Sequence, residues 1–404
     1  MGLNDTVSSE RIHIGFFGMR NAGKSSLVNA ITGQQLSVVS DVKGTTTDPV
    51  KKAMELLPLG PVVIIDTPGL DDEGELGNLR VQKTKQILAS TDIAVLVVDA
   101  AIGMSALDRE LLEEFETRKV PYVVVYNKVD KVEGNSDDIL KKETVPSTFL
   151  LVSSITGKGI FELKEKLGSF TTNAKKEKVL ISDYIEAGDM VVLVTPIDES
   201  APKGRLILPQ QLVIRDILDK HGIVVTCQDM EVSQTLANLS KQPKMVITDS
   251  QVFGKVSKEV PREIPLTSFS ILMARYKGEL EILLQGAEAL SKLQSGDKVL
   301  ISEGCTHHRQ CNDIGTIKMP NWIREFTGVE PEFVFTSGID FPEDLTPYSV
   351  IVHCGGCTLN EKEMQNRIEK AKNAGVPIVN YGMAIAHMHG ILARSVEMFT
   401  KKEC

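Results

Sequence analysis

Several things are scarce in this 404-residue sequence, and each scarcity excludes something. No run of about 18 apolar residues is present, so a membrane-spanning helix is not expected. The opening residues, MGLNDTVSSER, are too polar for a secretory signal, and Thr6 is thin support for a Met1-Gly2 myristoylation signal. Long Lys/Arg runs are missing, aromatics make up only 5% of the chain, and the net charge is −9, so nucleic acid is not the expected partner. Cysteine is absent until Cys227; all six (Cys227, Cys305, Cys311, Cys354, Cys357, Cys404) lie in the second half. The expected location is the cytoplasm, where disulfides are disfavoured and clustered thiols point to metal binding or catalysis. The length suits two or three domains, each with its own core.

What is present begins with Arg11–Ser26, RIHIGFFGMRNAGKSS. An apolar run meets Gly18-Met19-Arg20-Asn21-Ala22-Gly23-Lys24-Ser25, which fits the phosphate-binding loop G-x-x-x-x-G-K-[ST] between a strand and a helix. Gly18 and Gly23 let backbone N–H groups curl around a polyphosphate, and the N-terminus of the next helix adds its dipole. Lys24 is expected to reach the β- and γ-phosphates and the Ser25 hydroxyl to ligate Mg²⁺, with Asn21, Ala22, Gly23 and Ser26 completing the cradle.

Over the first 170 residues, short β-branched runs (12–17, 62–65, 93–98, 122–126 and 148–152) alternate with helical periodicity at 79–88 and 107–117. This predicts an α/β domain with a mostly parallel sheet and helices on both faces, its functional loops at the carboxyl ends of the strands. Four further signals fall there. Asp66-Thr67-Pro68-Gly69 places Asp66 to hold Mg²⁺ through water and the Gly69 N–H to sense a γ-phosphate. Asn127-Lys128-Val129-Asp130 offers a carboxylate that accepts from guanine N1–H and the 2-amino group, bonds adenine does not supply. Ser153-Ser154 would close over the base edge. Gly44-Thr45-Thr46-Thr47-Asp48 offers a hydroxyl to the metal, with Thr46 the chosen threonine. In this order they form a guanine-nucleotide site, with Lys24, Thr46, Asp66 and Gly69 as the catalytic candidates.

A charged linker, KKEK at 175–178, precedes a second α/β stretch. Strands are expected at 190–195, 223–227 and 245–248 and helices at 210–220 and 232–239, without catalytic spacing. Cys227 reads as a small buried hydrophobe, and the stretch as an interaction module. In the last 140 residues a strand, KVLIS, runs into Glu303-Gly304-Cys305-Thr306-His307-His308. Another, YSVIV, runs into His353-Cys354-Gly355-Gly356-Cys357. An amphipathic helix at 360–374 and a strand at 376–380 follow. In a parallel sheet such loops converge on one edge, bringing three thiols and up to two imidazoles together. Zinc would take Cys₃His; an iron–sulfur cluster would take three thiolates and leave one iron for a His, carboxylate or water. A C-x-x-C pair also suits redox chemistry, and spacing alone does not decide. Glu303 is a carboxylate candidate by proximity, Cys311 a bystander, Cys404 a terminal thiol, and His387 and His389 structural histidines.

The first 170 residues resemble translation-factor-like GTPases of the Era and MnmE branch. Leu70 stands where Ras-like proteins place a water-orienting Gln, and Asn21 matches the position that ligates K⁺ in potassium-activated relatives. With C-x-H, 45 intervening residues and H-C-x-x-C, the whole chain resembles the [FeFe]-hydrogenase maturation GTPases, the HydF family. That resemblance implies a GTPase domain (1–172) followed by two smaller α/β domains, for dimerisation (173–264) and cluster binding (265–404). It implies GTP/GDP, Mg²⁺, K⁺ and a [4Fe–4S] cluster on Cys305, Cys354 and Cys357, with His307 and His353 as further candidate ligands. It also implies a homodimer that carries a two-iron CO/cyanide precursor to apo-hydrogenase, with two radical-SAM maturases as partners. The competing expectation is an RNA- or ribosome-associated GTPase with a structural zinc.

Overall fold

The computed structural model describes residues 8–33, 50–69, 83–132, 149–172, 179–197, 206–278, 280–304, 313–338, 340–356 and 358–400. The chain divides into two compact units, Met1–Lys176 and Glu177–Cys404.

In the first unit, β1 (Ile12–Phe17), β2 (Val50–Leu56), β3 (Gly60–Asp66), β4 (Ile93–Asp99), β5 (Tyr122–Asn127) and β6 (Phe149–Leu151) form one sheet in the order β2-β3-β1-β4-β5-β6. Every pairing is parallel except β2 with β3. The central strands read as unbroken apolar runs because both faces are covered. On one face Ile14, Phe16, Val62, Val95 and Val123 pack with Leu27 and Ile31 of α1 (Lys24–Thr32). On the other, Phe17, Ile65, Leu96 and Val124 pack with Ile87 and with Phe115 of α3 (Ala106–Thr117), Ile87 lying in α2 at 83–89. The sequence reading missed β2: VKKAMEL is an edge strand with Lys51 and Lys52 exposed, so no apolar run marks it.

The second unit holds two parallel four-stranded sheets. The first contains β7 (Met190–Val194), β8 (Ile223–Cys227), β9 (Met245–Thr248) and β10 (Leu266–Ser268), in the order β10-β9-β7-β8. The second contains β11 (Lys298–Glu303), β12 (Glu332–Ser337), β13 (Val350–His353) and β14 (Ile378–Asn380), in the order β12-β11-β13-β14. One buried cluster draws on both sheets, joining Val192 and Val246 to Val299 and Ile351. The helix at Glu361–Asn373 is capped by the Asn360 side chain, which accepts from the Glu363 N–H.

Strand order places the sites. From β1 the chain goes to β2 and β3 on one side, and β4 lies on the other. From β11 it goes to β12 on one side, and β13 lies on the other. Each is a topological switch point, where diverging crossovers leave a crevice beyond the carboxyl ends of the strands. Among the described residues, no helix is long and apolar enough to cross a membrane.

Candidate functional site

At the first switch point the loop after β1 turns back on itself. Gly18 has φ +133°, and a Cβ there would lie 2.2 Å from the Val97 carbonyl oxygen; Gly23 has φ +94°, and its Cβ would lie 2.3 Å from Asn127 Nδ2. Both positions therefore demand glycine. Lys24 is buried, its Nζ donating to the Gly18 and Met19 carbonyls at 2.9 Å each. Ser25 Oγ donates to Asp66 Oδ2 at 2.6 Å, while Asp66 Oδ1 is buried with no hydrogen-bond partner. This paired hydroxyl and carboxylate, with one oxygen unsatisfied, fits a hard divalent cation such as Mg²⁺. Gly69 packs against the Arg20 backbone, so the loop after β3 reaches the phosphate loop.

The base side is tied together by Asn127, which is 1% exposed. Its Nδ2 donates to the Ala22 carbonyl at 3.1 Å, and its Oδ1 accepts from the Ser154 N–H at 3.1 Å and Oγ at 2.8 Å. Three loops are thereby clamped by one amide. Lys128, at φ +64°, donates to the Asn21 carbonyl at 2.5 Å and to Asp99 Oδ2 at 2.7 Å. Asp130 is exposed, and its Oδ1 accepts from Ser153 Oγ at 2.5 Å. Asn21 is exposed with φ +61°, and Ser26 lies in the first turn of α1. Sequence reasoning missed Asp99 and Asp108. Asp99 is signalled only by its register opposite Asn127. Asp108 closes a capping box with Ser105 at the start of α3. Burial pushes its carboxyl above the usual range, against the opposing pull of the Ser105 hydrogen bonds and the Lys24 charge.

At the second switch point, Ser302 of β11 is in register with His353 of β13. The Cys354 N–H donates to the Ser302 carbonyl at 2.9 Å. Cys354 Sγ accepts from the Gly304 N–H at 3.0 Å and the Gly356 N–H at 3.4 Å, and Thr358 Oγ1 donates to the Gly304 carbonyl at 2.8 Å. The two loops are laced together, and amide donors aimed at a sulfur fit a thiolate that ligates an iron–sulfur cluster. Among the described residues, a Cβ at Gly355 would meet nothing within 4 Å.

His353 is fully buried. Its Nδ1 lies 2.7 Å from the Cys354 carbonyl and its Nε2 3.0 Å from Arg367 Nη1, so both ring nitrogens are engaged within the protein. Burial, reinforced by the Arg367 charge, pushes its pKa down to about 3. Glu303 is buried beside Tyr381, whose hydroxyl donates to it at 3.4 Å; burial and the Glu303 charge raise the phenol well above its usual range. His387 is bonded to Ser291 Oγ at 2.8 Å and His389 packs on Gly254, both structural placements. Cys227 is partly buried against the core, and burial raises its thiol pKa. Thr46, Leu70, Cys305, His307, Cys311, Cys357 and Cys404 lie outside the described residues. Arg367, Glu363 and Tyr381 were not found from sequence.

The fold and the loops gathered at the first switch point define a P-loop GTPase. Residues 13–128 match the family described as 50S ribosome-binding GTPase. Residues 180–278 match the hydrogen maturase F dimerization domain and residues 281–398 its tetramerization domain, and the chain belongs to the hydrogen maturase F (HydF) family. Among curated proteins it is similar to the tRNA modification GTPase MnmE of Clostridioides difficile, 28% identical over 209 residues (47% of this chain, 45% of that protein). It is also similar to the GTPase Der of Campylobacter lari, 32% identical over 173 residues (40% and 37%). The matches thus span less than half the length of these relatives. Among solved structures, Aquifex aeolicus Era bound to GDP·AlF4⁻ aligns with TM-score 0.35 and 17% identity, covering 80% of this chain and 93% of that one. The G domain of the T. maritima FeoB iron transporter aligns with TM-score 0.30 and 24% identity, covering 40% and 99%.

Proposed function

We propose that this chain is a cytoplasmic GTP-hydrolysing scaffold that binds a [4Fe–4S] cluster through Cys305, Cys354 and Cys357. On this reading it completes the two-iron CO/cyanide precursor of the hydrogenase active site and delivers it to apo-[FeFe]-hydrogenase. The observation that carries the reading is the second switch point, where the loops after β11 and β13 meet and the Gly304 amide donates to Cys354 Sγ. Cys305 is the next residue after Gly304, so the topology that gathers one thiol calls for the other two at the same edge. When bound, the cluster supplies an iron position where cargo can attach and leave. The chain's own groups would hold the sulfur of Cys354 through the Gly304 and Gly356 amides, with Leu359 packed against Gly304. With both His353 nitrogens engaged internally, the fourth iron ligand comes from elsewhere, His307 included.

In the nucleotide domain, Lys24 would reach the β- and γ-phosphates. Ser25, Asp66 and Thr46 hold Mg²⁺, the Gly69 N–H meets the γ-phosphate, Asp130 reads guanine, and Asn21 ligates K⁺. Hydrolysis reorders the segments 39–49 and 70–79 and so adjusts docking of the two radical-SAM maturases and the hydrogenase. Residues 173–264 form the dimerisation domain and 265–404 the cluster domain. The homodimer pairs through β8, an edge strand whose Ile223 is 47% exposed.

Anaerobic purification of the full chain, with iron and sulfide assays and electron paramagnetic resonance of the dithionite-reduced protein, tests the reading. About four iron and four sulfide per chain, with a fast-relaxing reduced-cluster signal, are expected. A colourless protein holding one zinc favours the ribosome-associated alternative instead.

A further inference from the structure

Arg367 is the largest fully buried side chain among the described residues. Its guanidinium donates to four partners on four segments: Glu363 Oε1 at 2.8 Å, the Gly338 carbonyl at 2.7 Å, Ser302 Oγ at 3.4 Å and His353 Nε2 at 3.0 Å. Its face lies 5.0 Å from the Phe341 ring centroid. Stability alone is a poor reason for this arrangement. Desolvating an ion pair such as Arg367–Glu363 costs several kcal/mol, and well-packed apolar replacements of such pairs are often neutral or stabilising.

The geometry has a chemical consequence. Arginine carries donors only, so His353 Nε2 facing Arg367 has to be an acceptor. The single proton of the neutral ring then sits on Nδ1 and donates to the Cys354 carbonyl at 2.7 Å. That residue is held at every polar atom: its N–H by Ser302, its carbonyl by His353, its sulfur by the Gly304 and Gly356 amides. One guanidinium also bridges β11 and β13, the two strands whose loops carry the cysteines.

We propose that Arg367 is a positioning residue for Cys354: through His353 it fixes the tautomer, and hence the peptide orientation, that presents the thiol at the sheet edge. The inference rests on the cluster-binding reading above and deepens it. Arg367 touches neither iron nor cargo; it acts through the imidazole, and the same contact withholds His353 from the metal. This is the usual division of labour in metal sites, where outer groups set the orientation of the ligand.

Two readouts test it on the full chain. In the iron-free protein, ¹⁵N shifts of the His353 ring, assigned by their loss in His353→Gln, show a single Nδ1–H tautomer in the wild type; Arg367→Met converts it to a mixture or to Nε2–H. In the reconstituted protein, Arg367→Met and His353→Gln each alter the g-values of the reduced cluster and move its reduction potential negative. The expected size is about a tenfold loss of reduced cluster at a fixed poise, or 59 mV for one electron. The double variant shifts no further, because both changes break one chain of contacts. If Arg367→Met does not fold, Arg367→Lys keeps the buried charge without the planar fork, and the same tautomer mixing and negative shift are expected. Additive shifts, an unchanged tautomer, or a lowered Tm with wild-type g-values and potential would overturn the proposal. A wild-type chain that binds no iron–sulfur cluster overturns both readings; a wild-type cluster with an unaltered Arg367 variant overturns this one alone.

Discussion

The Gly304 amide donates to the Cys354 sulfur at 3.0 Å, joining loops that lie 50 residues apart in sequence. With the Thr358–Gly304 bond and the Cys354–Ser302 bond, it ties the ends of β11 and β13 through the protein's own groups. A ligand loop held in this way loses little conformational freedom when a metal centre forms. Cys354→Ala removes the N–H···S bonds from Gly304 and Gly356 and should lower stability by about 1 kcal/mol. The same change should remove most bound iron. Iron assay and thermal melting of the anaerobically reconstituted variant check both halves; wild-type iron content would exclude Cys354 as a ligand.

Asp130 is exposed at the base end of the nucleotide pocket, its Oδ1 bonded to Ser153 Oγ. A carboxylate there accepts from guanine N1–H and the 2-amino group. Asp130→Asn replaces one acceptor with a donor. GDP affinity should fall about 100-fold, roughly 2.7 kcal/mol, in line with lost hydrogen bonds to a charged group. Xanthosine diphosphate, whose 2-oxo group accepts a hydrogen bond, should bind the variant better than GDP. Titration calorimetry with both nucleotides measures the switch, and an unchanged preference for GDP would mean that Asp130 does not read the base.

Asn21 sits in the phosphate loop with φ +61°, its carbonyl already taken by Lys128 and its side chain exposed. A K⁺ ion held by that side chain would place positive charge where an arginine finger acts in other GTPases. Steady-state hydrolysis should therefore be faster in K⁺ than in Na⁺ at equal ionic strength, and Asn21→Ala should abolish the difference. Equal wild-type turnover in the two salts removes the potassium role.

How much of this was legible in the sequence depends on the kind of signal. The β1–α1 loop announces itself because its motif fixes glycine at two positions, and at Gly18 and Gly23 the backbone has positive φ with no room for a Cβ. The central strands were equally plain, since burial on both faces leaves continuous apolar runs. Edge strand β2 was hidden by its exposed lysines. Strand β12, EFVFTS, was hidden by half-exposure along its length. Arg367 stayed invisible for a different reason. In the helix at Glu361–Asn373 the buried stripe is Glu363, Met364, Arg367, Ile368 and Ala371, and periodicity does not tell a buried charge from a solvated one. Its partners, Ser302, His353 and Gly338, come from three other segments, so only the assembled sheet reveals the network.

Asp108 gives a prediction in pH. Asp108 is 1% exposed; Oδ2 accepts from the Ser105 N–H at 3.0 Å and Oγ at 2.8 Å, and the Met19 backbone also faces the carboxyl. Burial raises its pKa in the folded protein above the ordinary value of 3.8. The native state then holds more protons than the unfolded chain between 3.8 and the raised value, so this residue makes stability fall as pH rises through that window. Above the window the protein carries a buried charge that Ser105, Lys24 and the Met19 backbone only partly offset. Asp108→Asn keeps an oxygen to accept from Ser105 and removes the charge. At pH 7 the variant should be more stable than the wild type by up to about 1 kcal/mol, with the gain vanishing as pH drops below 3.8. Chemical denaturation from about pH 3 to about pH 8, bracketing the 3.8 reference value, follows the difference. A gain independent of pH would assign the effect to packing, and a loss at pH 7 would show that the ionised carboxylate is needed to brace the phosphate loop.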